Sequence, residues 1–150
     1  MKILIADELP QDKIQVLREK GYECIVEPDL KAEQIPERIT GIEILVVRST
    51  KVISEVFDKS DSLGLVVRSG AGINTIDCQG AADSGIYVCN VPGTNSIAVA
   101  LLTMGLILAI DRHNPSATAD LKENRWNKKI YSDAGGLFGK TLGIVGLGEI

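Results

Sequence analysis

The sequence predicts an α/β fold: a flavodoxin-like, doubly wound parallel sheet of five strands, followed by a long connecting helix and the first strand of a truncated Rossmann domain. Two observations predict the sheet. Short runs of β-branched and other apolar residues recur as far as Cys89, and a helical segment separates each run from the next. Continuous apolar strands joined by helices are typical of a parallel sheet that helices cover on both faces.

Each predicted element has a local cause. Pro10 opens the first helix, in which Ile14 and Leu17 share a face, and Gly21 ends it. Gly41 ends the second helix in the same way. The strands are predicted at residues 3–6, 22–26, 43–47, 65–68 and 86–89, and the helices between them at residues 10–20, 31–40, 54–59 and 75–84.

The second half of the chain is predicted to be organised differently. Residues 96–113 form a helix that is apolar on nearly every face, and such a helix needs a second domain or a second subunit to bury it. A polar helix at 115–124 and a loop at 126–139 then lead to a strand at 142–146. We therefore expect three parts: a flavodoxin-like domain at 1–95, the long helix at 96–113, and the first part of a truncated Rossmann domain at 114–150.

Composition excludes several classes of function. The chain has 150 residues and a net charge of −4, whereas general nucleic-acid binding requires a basic surface. No apolar run is long enough to span a membrane, and the N-terminus lacks a signal-peptide pattern. Cys24, Cys78 and Cys89 lie far apart, which indicates free thiols rather than a disulfide or a metal site. We therefore expect a cytoplasmic protein without nucleic-acid or membrane partners.

The loop after the fourth strand is the first candidate for binding a small anion, because ligands of doubly wound sheets lie at the carboxyl ends of the strands. It contains Ser69, Gly70, Ala71 and Gly72. Glycines at such a place let backbone amides approach a carboxylate or a phosphate. The alternative is a tight turn in which Asn74 or Thr75 caps the next helix.

Two more loops are expected at the same edge. Arg48 and Ser49 follow the third strand, with Lys51 close by, and cations with hydroxyl groups suit an anion. The alternative is a solvated loop whose serine or threonine caps the following helix. Asn95 lies in the third loop, at the start of the long helix, where the first helical amides point out of the sheet. Their convergence on one edge favours a binding function for each loop.

Gly146 and Gly148 begin a dinucleotide-binding motif. They follow the apolar run 142–145 and match the opening of G-x-G-x-x-G, in which a tight turn after a strand presents helix amides to a pyrophosphate. The third glycine and the helix do not follow in this sequence, so the cofactor site is expected to be incomplete. His113 is the only histidine, and its place at the end of the apolar helix predicts an interaction with the helix dipole rather than catalysis.

Four stretches, in this order and at these spacings, resemble the D-isomer-specific 2-hydroxyacid dehydrogenases: residues 47–52, 68–77, 90–96 and 139–148. The resemblance implies that Arg48 and Ser49 bind the anionic end of the substrate and that the 70–72 backbone holds the carboxylate beside the oxo group. It also implies that Asn95 lines the cleft near the nicotinamide. In this family hydride passes between NAD and the substrate C2, helped by an arginine, a glutamate and a histidine from the later part of the chain. No catalytic residue is therefore expected here.

The resemblance has two departures. Leu101 stands where the family usually has a glutamate, and Asn114 stands where an apolar residue is more frequent. Both lie on or beside the segment that would face the next domain of a full-length family member. This placement suggests surfaces that are matched to a different neighbour.

The sequence thus predicts the substrate-domain part of an NAD-dependent dehydrogenase for a small D-2-hydroxy acid. Arg48 and Lys51 favour a phosphorylated substrate. Alone, this part is expected to be inactive and to hold no NAD tightly. Two alternatives stay open: a non-catalytic flavodoxin-like module that only self-associates, and part of a glyoxylate or hydroxypyruvate reductase. We also expect a homodimer formed through the helix 96–113 and the C-terminal tail.

Overall fold

The computed structural model describes residues 1–150 and divides into two compact units, Met1–Thr94 and Asn95–Ile150. The first unit contains one five-stranded sheet in the order β2-β1-β3-β4-β5, and every neighbouring pair of strands is parallel. This architecture confirms the predicted α/β fold. The strands are β1 (Lys2–Ile5), β2 (Glu23–Val26), β3 (Ile44–Val47), β4 (Leu65–Arg68) and β5 (Tyr87–Cys89).

Helices connect the strands: α1 (Gln11–Glu19), α2 (Ile35–Arg38), α3 (Ser54–Asp58) and α4 (Cys78–Asp83). Two of them are shorter than predicted. Helix α2 is a single turn because Pro36 occupies its first turn, where proline is tolerated, and residues before it form turns instead. Helix α4 begins after Asp77, whose side chain accepts a hydrogen bond from the Gly80 N–H at 3.0 Å. The predicted caps Asn74 and Thr75 are therefore wrong.

The two faces of the sheet are covered unequally. On one face, Leu45, Val47 and Val66 are fully buried in a cluster that includes residues of α2, α3 and α4. On the other face, Ile14 of α1 packs on β1. The remainder of that face is half-exposed and forms a groove of about 410 Å³. The prediction that helices cover both faces is thus correct for only part of the sheet.

The second unit contains two helices, α5 (Ser96–Asp111) and α6 (Asn114–Lys122), and a 3₁₀ turn at Ile130–Ser132. His113 lies between the helices with a left-handed backbone, φ 54°, which ends the first helix and redirects the chain into the second. Asp120 of α6 accepts hydrogen bonds from Tyr131, Asn127 and Arg125, which lower the pKa of Asp120 to about 2. This network holds the segment 125–131 against α6.

The strand predicted at 142–146 is wrong, because these residues have no regular structure. Their apolar composition favours a strand, but a strand forms only where its backbone pairs with a neighbour. Residues 142–146 pair with no strand of this chain.

Helix α5 has no buried residue, although it is the most apolar helix of the chain. Ile97, Leu101 and Ile110 are 78%, 68% and 74% exposed. No single helix of the chain meets the length and hydropathy expected of a membrane span; α5 and α6 meet them only as a pair that is bent by 67°.

Candidate anion-binding site

The carboxyl ends of β3, β4 and β5 lie side by side, because these strands are neighbours in a parallel sheet. The loops after β3 and β4 are joined by a short bridge. In this bridge Val52 donates its N–H to the Thr75 carbonyl at 2.9 Å and accepts from the Asp77 N–H at 3.0 Å. The structure therefore confirms that these two predicted loops share one edge.

Arg68, the last residue of β4, shapes the loop that follows it. Its Nε donates to Thr75 Oγ1 at 3.0 Å, and its Nη1 donates to the Gly72 carbonyl at 2.6 Å. Sequence reasoning included Arg68 in the motif without giving it this role. The guanidinium closes the loop on itself, as a fixed fork of donors allows.

Three carbonyl groups of the loop after β4 accept hydrogen bonds, whereas several of its N–H groups, among them those of Ala71 and Gly72, are free. Asn90 Nδ2 donates to the Ala71 carbonyl at 2.6 Å, and the Val91 N–H donates to the Gly70 carbonyl at 3.0 Å. The N–H groups of Ala71 and Gly72 donate to no acceptor of the protein, and both residues are exposed. We call this pair of N–H groups the open amide pair. Such donors suit a carboxylate.

Close packing favours glycine at two positions of this loop. A Cβ atom at Gly70 would lie 3.0 Å from Arg68 Nη1, and one at Gly72 would lie 3.0 Å from Asn74 Oδ1. Neither glycine has a positive φ angle. The absence of a Cβ atom at these glycines therefore leaves room for side chains and a ligand close to the backbone. The glycines are not needed for an unusual backbone conformation.

The loop after β3 is organised by Asp7, which sequence reasoning missed. Asp7 Oδ2 accepts hydrogen bonds from the N–H groups of Arg48 at 2.7 Å, Ser49 at 3.1 Å and Thr50 at 3.1 Å. Burial raises the pKa of Asp7, but the hydrogen bonds from Arg48, Thr50 and Ser49 outweigh it, so the pKa lies below its ordinary value. We call these three N–H groups the closed amide nest.

The side chain of Arg48 stays available, because Asp7 contacts only the backbone of this residue. The side chain is exposed and its guanidinium forms no ion pair. Ser49 is likewise exposed, and Ser69 is half-buried with its N–H donated to the Val47 carbonyl at 2.7 Å. The edge thus offers the free cations of Arg48 and Lys51 beside the open amide pair.

The remaining predicted residues belong to the second unit. Asn95 is the N-terminal cap residue of α5, but its side chain makes no capping hydrogen bond; its carbonyl accepts from the Val99 N–H at 2.9 Å. Gly146 has φ 96°, as the tight turn of a dinucleotide motif needs, and Gly148 is exposed. No helix N-terminus follows them, so the residues present do not form a pyrophosphate site. No cluster of His, Cys, Asp or Glu has metal-binding geometry.

Free amides and an unpaired arginine thus lie at the carboxyl edge of a parallel α/β sheet, which is where domains of this architecture generally bind their ligands. The family model described as D-isomer specific 2-hydroxyacid dehydrogenase, catalytic domain, matches residues 3–136. The chain therefore belongs to the D-isomer specific 2-hydroxyacid dehydrogenase family.

Individual relatives agree with this assignment. The chain is 45% identical, over all of its length, to D-3-phosphoglycerate dehydrogenase of Methanocaldococcus jannaschii, of which it covers 28%. Over 99% of its length it is 37% identical to hydroxypyruvate reductase of Thermotoga maritima, of which it covers 49%. The structure of NAD⁺-bound 3-phosphoglycerate dehydrogenase from Entamoeba histolytica superimposes with a TM-score of 0.67 at 29% identity, covering 75% of this chain and 39% of that one. The chain thus spans half or less of these relatives.

Proposed function

We propose that this chain supplies the substrate domain of an NAD-dependent dehydrogenase that acts on 3-phosphoglycerate. The observation that carries the proposal is the open amide pair of Ala71 and Gly72 in the loop after β4, next to the loop after β3 that carries the free guanidinium of Arg48. Anion-binding groups in the loops after two neighbouring strands suit a short ligand with a carboxylate at one end and a phosphate at the other.

The residues of this chain bind and orient the substrate. The open amide pair donates to the carboxylate, Arg48 donates to the phosphate, and the hydroxyls of Ser49 and Ser69 are available to further oxygens. These contacts place C2 of the substrate at the edge of the domain. Gly146 and Gly148 alone do not form a site for the cofactor.

The chain alone is expected to show no NADH oxidation with phosphohydroxypyruvate or hydroxypyruvate, even at high protein concentration. General acid–base help to hydride transfer requires a positioned proton donor near the reacting carbonyl. The only histidine, His113, lies in the second unit and its ring faces Tyr131 at 6.3 Å. Measured turnover would contradict the expected inactivity of the chain alone and would make His113→Ala the next variant.

Arg48→Ala is expected to weaken 3-phosphoglycerate binding about tenfold or more, because a charge-assisted hydrogen bond contributes roughly 1.5–3 kcal/mol. Binding of glyoxylate, which has no phosphate, should change little. Titrations at low and high salt, followed by backbone amide chemical shifts, measure the affinities for 3-phosphoglycerate and for glyoxylate. Arg18→Ala, an exposed arginine of α1, is the charge-matched control.

The same experiment separates a second candidate function. The similarity to the Thermotoga hydroxypyruvate reductase favours an unphosphorylated substrate. Equal losses of 3-phosphoglycerate and glyoxylate binding in Arg48→Ala would support that alternative and would contradict phosphate recognition by Arg48.

We also propose that the chain is a homodimer in which α5 packs against a second copy. The support is the exposure of an apolar helix over its whole length. Apolar helices of this kind are stable in water only when a partner covers them. This arrangement is compatible with the self-associating module as well as with the substrate domain of a dehydrogenase.

A further inference from the structure

Two groups of backbone N–H donors lie at the same edge of the sheet. One group donates to an acceptor of the protein, and the other does not. The closed amide nest, formed by Arg48, Ser49 and Thr50, converges on a single oxygen of Asp7. The open amide pair, formed by Ala71 and Gly72, has no acceptor. Both follow neighbouring strands, β3 and β4. Without Asp7, a ligand with two anionic ends would meet two backbone anion sites.

We propose that Asp7 is a resident anion that closes the nest at 48–50 to ligand carboxylates and thereby sets the direction in which a two-anion substrate binds. The inference rests on the proposed function, because it assigns the substrate carboxylate to the open amide pair and the phosphate to the Arg48 side chain. Asp7 touches no substrate in this scheme; it is a specificity residue that acts by occupying a competing site.

The geometry of the Asp7 contacts supports this role. Three consecutive N–H groups that point at one oxygen form the kind of concavity that binds anions elsewhere in proteins. Asp7 follows β1 directly, and β1 is the neighbour of β3, so the fold holds its carboxylate at the nest. A tethered carboxylate has a high effective concentration and is not displaced by a dilute ligand. The hydrogen bonds also keep Asp7 ionised at neutral pH, since they lower its pKa.

The contacts of Asp7 also explain why Arg48 remains usable. An acidic residue beside an arginine commonly forms an ion pair with its guanidinium, which would neutralise it. Here Asp7 Oδ2 accepts from the Arg48 backbone N–H, and the guanidinium forms no ion pair with Asp7 or any other acid. The loop is therefore fixed through its backbone while its side-chain charge faces solvent.

Acetate is the probe for the test, because it carries a single carboxylate and no phosphate. The unmodified chain, Asp7→Ala and the control Glu8→Ala are titrated with acetate at constant ionic strength, and backbone amide chemical shifts are recorded. Glu8 is the neighbouring exposed acid, so its removal matches the change in charge. In Asp7→Ala we expect saturable shifts at residues 48–50. In the unmodified chain and in Glu8→Ala these amides should not respond.

Two results would overturn the inference: no acetate-dependent shift at 48–50 in Asp7→Ala, or equal shifts there in the unmodified chain. The proposed function is tested separately by the response of Ala71 and Gly72, which should occur in all three proteins. A silent open amide pair with a responsive nest in Asp7→Ala would contradict the proposed function and leave the role of Asp7 intact.

A second variant keeps the test decisive if Asp7→Ala does not fold. Asp7→Asn retains an oxygen acceptor without its charge, so hydrogen exchange at residues 48–50 should accelerate about tenfold while Ala71 and Gly72 are unaffected. Unchanged exchange at 48–50 would show that the carboxylate of Asp7 does not hold the nest, and would overturn the inference.

Discussion

The double substitution Leu101→Glu/Leu108→Glu is expected to convert a dimer into a monomer of 16.1 kDa. The two leucines lie seven residues apart on α5 and therefore share one face of the helix. They are 68% and 47% exposed in the isolated chain, so a partner helix could cover them. A twofold dimer contains each substitution twice, so the loss of binding free energy per substitution counts twice.

The expected loss of binding free energy is comparable to the whole binding free energy of a micromolar dimer. Burial of a leucine contributes about 1.5–3 kcal/mol, so four leucines contribute roughly 6–12 kcal/mol. A dimer with a micromolar dissociation constant is held by about 8 kcal/mol. Buried carboxylates without partners add a further penalty. The variant should sediment as a monomer at every accessible concentration.

Val16→Glu is the matched control, because Val16 is an exposed apolar residue of another helix, α1. It should leave the sedimentation coefficient unchanged. A monomeric unmodified chain at high concentration, or a double variant that still dimerises, would show that α5 is not the interface. Circular dichroism of the variant establishes that the loss of the dimer is not a loss of fold.

The sheet could be predicted from the sequence because its strands are encoded locally. The run at 65–68 is apolar, β-branched and bounded by turn residues, and the structure has β4 at these residues. The run at 142–146 has the same local composition and forms no strand, because pairing is a long-range condition that composition does not specify. The incomplete burial of one face of the sheet is also a long-range property. An apolar strand residue indicates that its burial is favourable, but it does not show whether a helix covers it.

The candidate site could be predicted only in part. Arg48 and the glycines of 70–72 could be predicted as candidates because strand-end loops of parallel sheets share an edge. Asp7 was missed because its contacts join residues 41 to 43 positions apart. One signal could have found it: Asp7 directly follows the first apolar run, so it lies at the same edge as the loop after β3. One group of N–H donors is occupied and the other is free because a side chain reaches only the first group. The sequence alone does not show which N–H groups a side chain reaches.

Arg68→Ala is expected to abolish the response of the open amide pair to carboxylates. The substitution removes the hydrogen bonds to Thr75 Oγ1 and to the Gly72 carbonyl, which close the loop after β4. Hydrogen bonds from a charged donor contribute roughly 1.5–3 kcal/mol each, and the partial exposure of Arg68 reduces this. We expect a loss of about 1–3 kcal/mol in the free energy of unfolding.

The decisive measurement for Arg68→Ala is therefore the response of the open amide pair to a ligand, not the free energy of unfolding of the whole chain. Arg38→Ala is the control, since Arg38 forms an exposed ion pair with Glu27, and such pairs contribute about 0–1 kcal/mol. Amide shifts of Ala71 and Gly72 upon acetate titration should vanish in Arg68→Ala and persist in Arg38→Ala. If they persist in both, the loop holds its shape through the Asn90 and Val91 hydrogen bonds alone, and Arg68 is not what positions the carboxylate site. If they vanish only in Arg68→Ala, a residue without substrate contact determines whether the proposed carboxylate-binding loop functions in this chain.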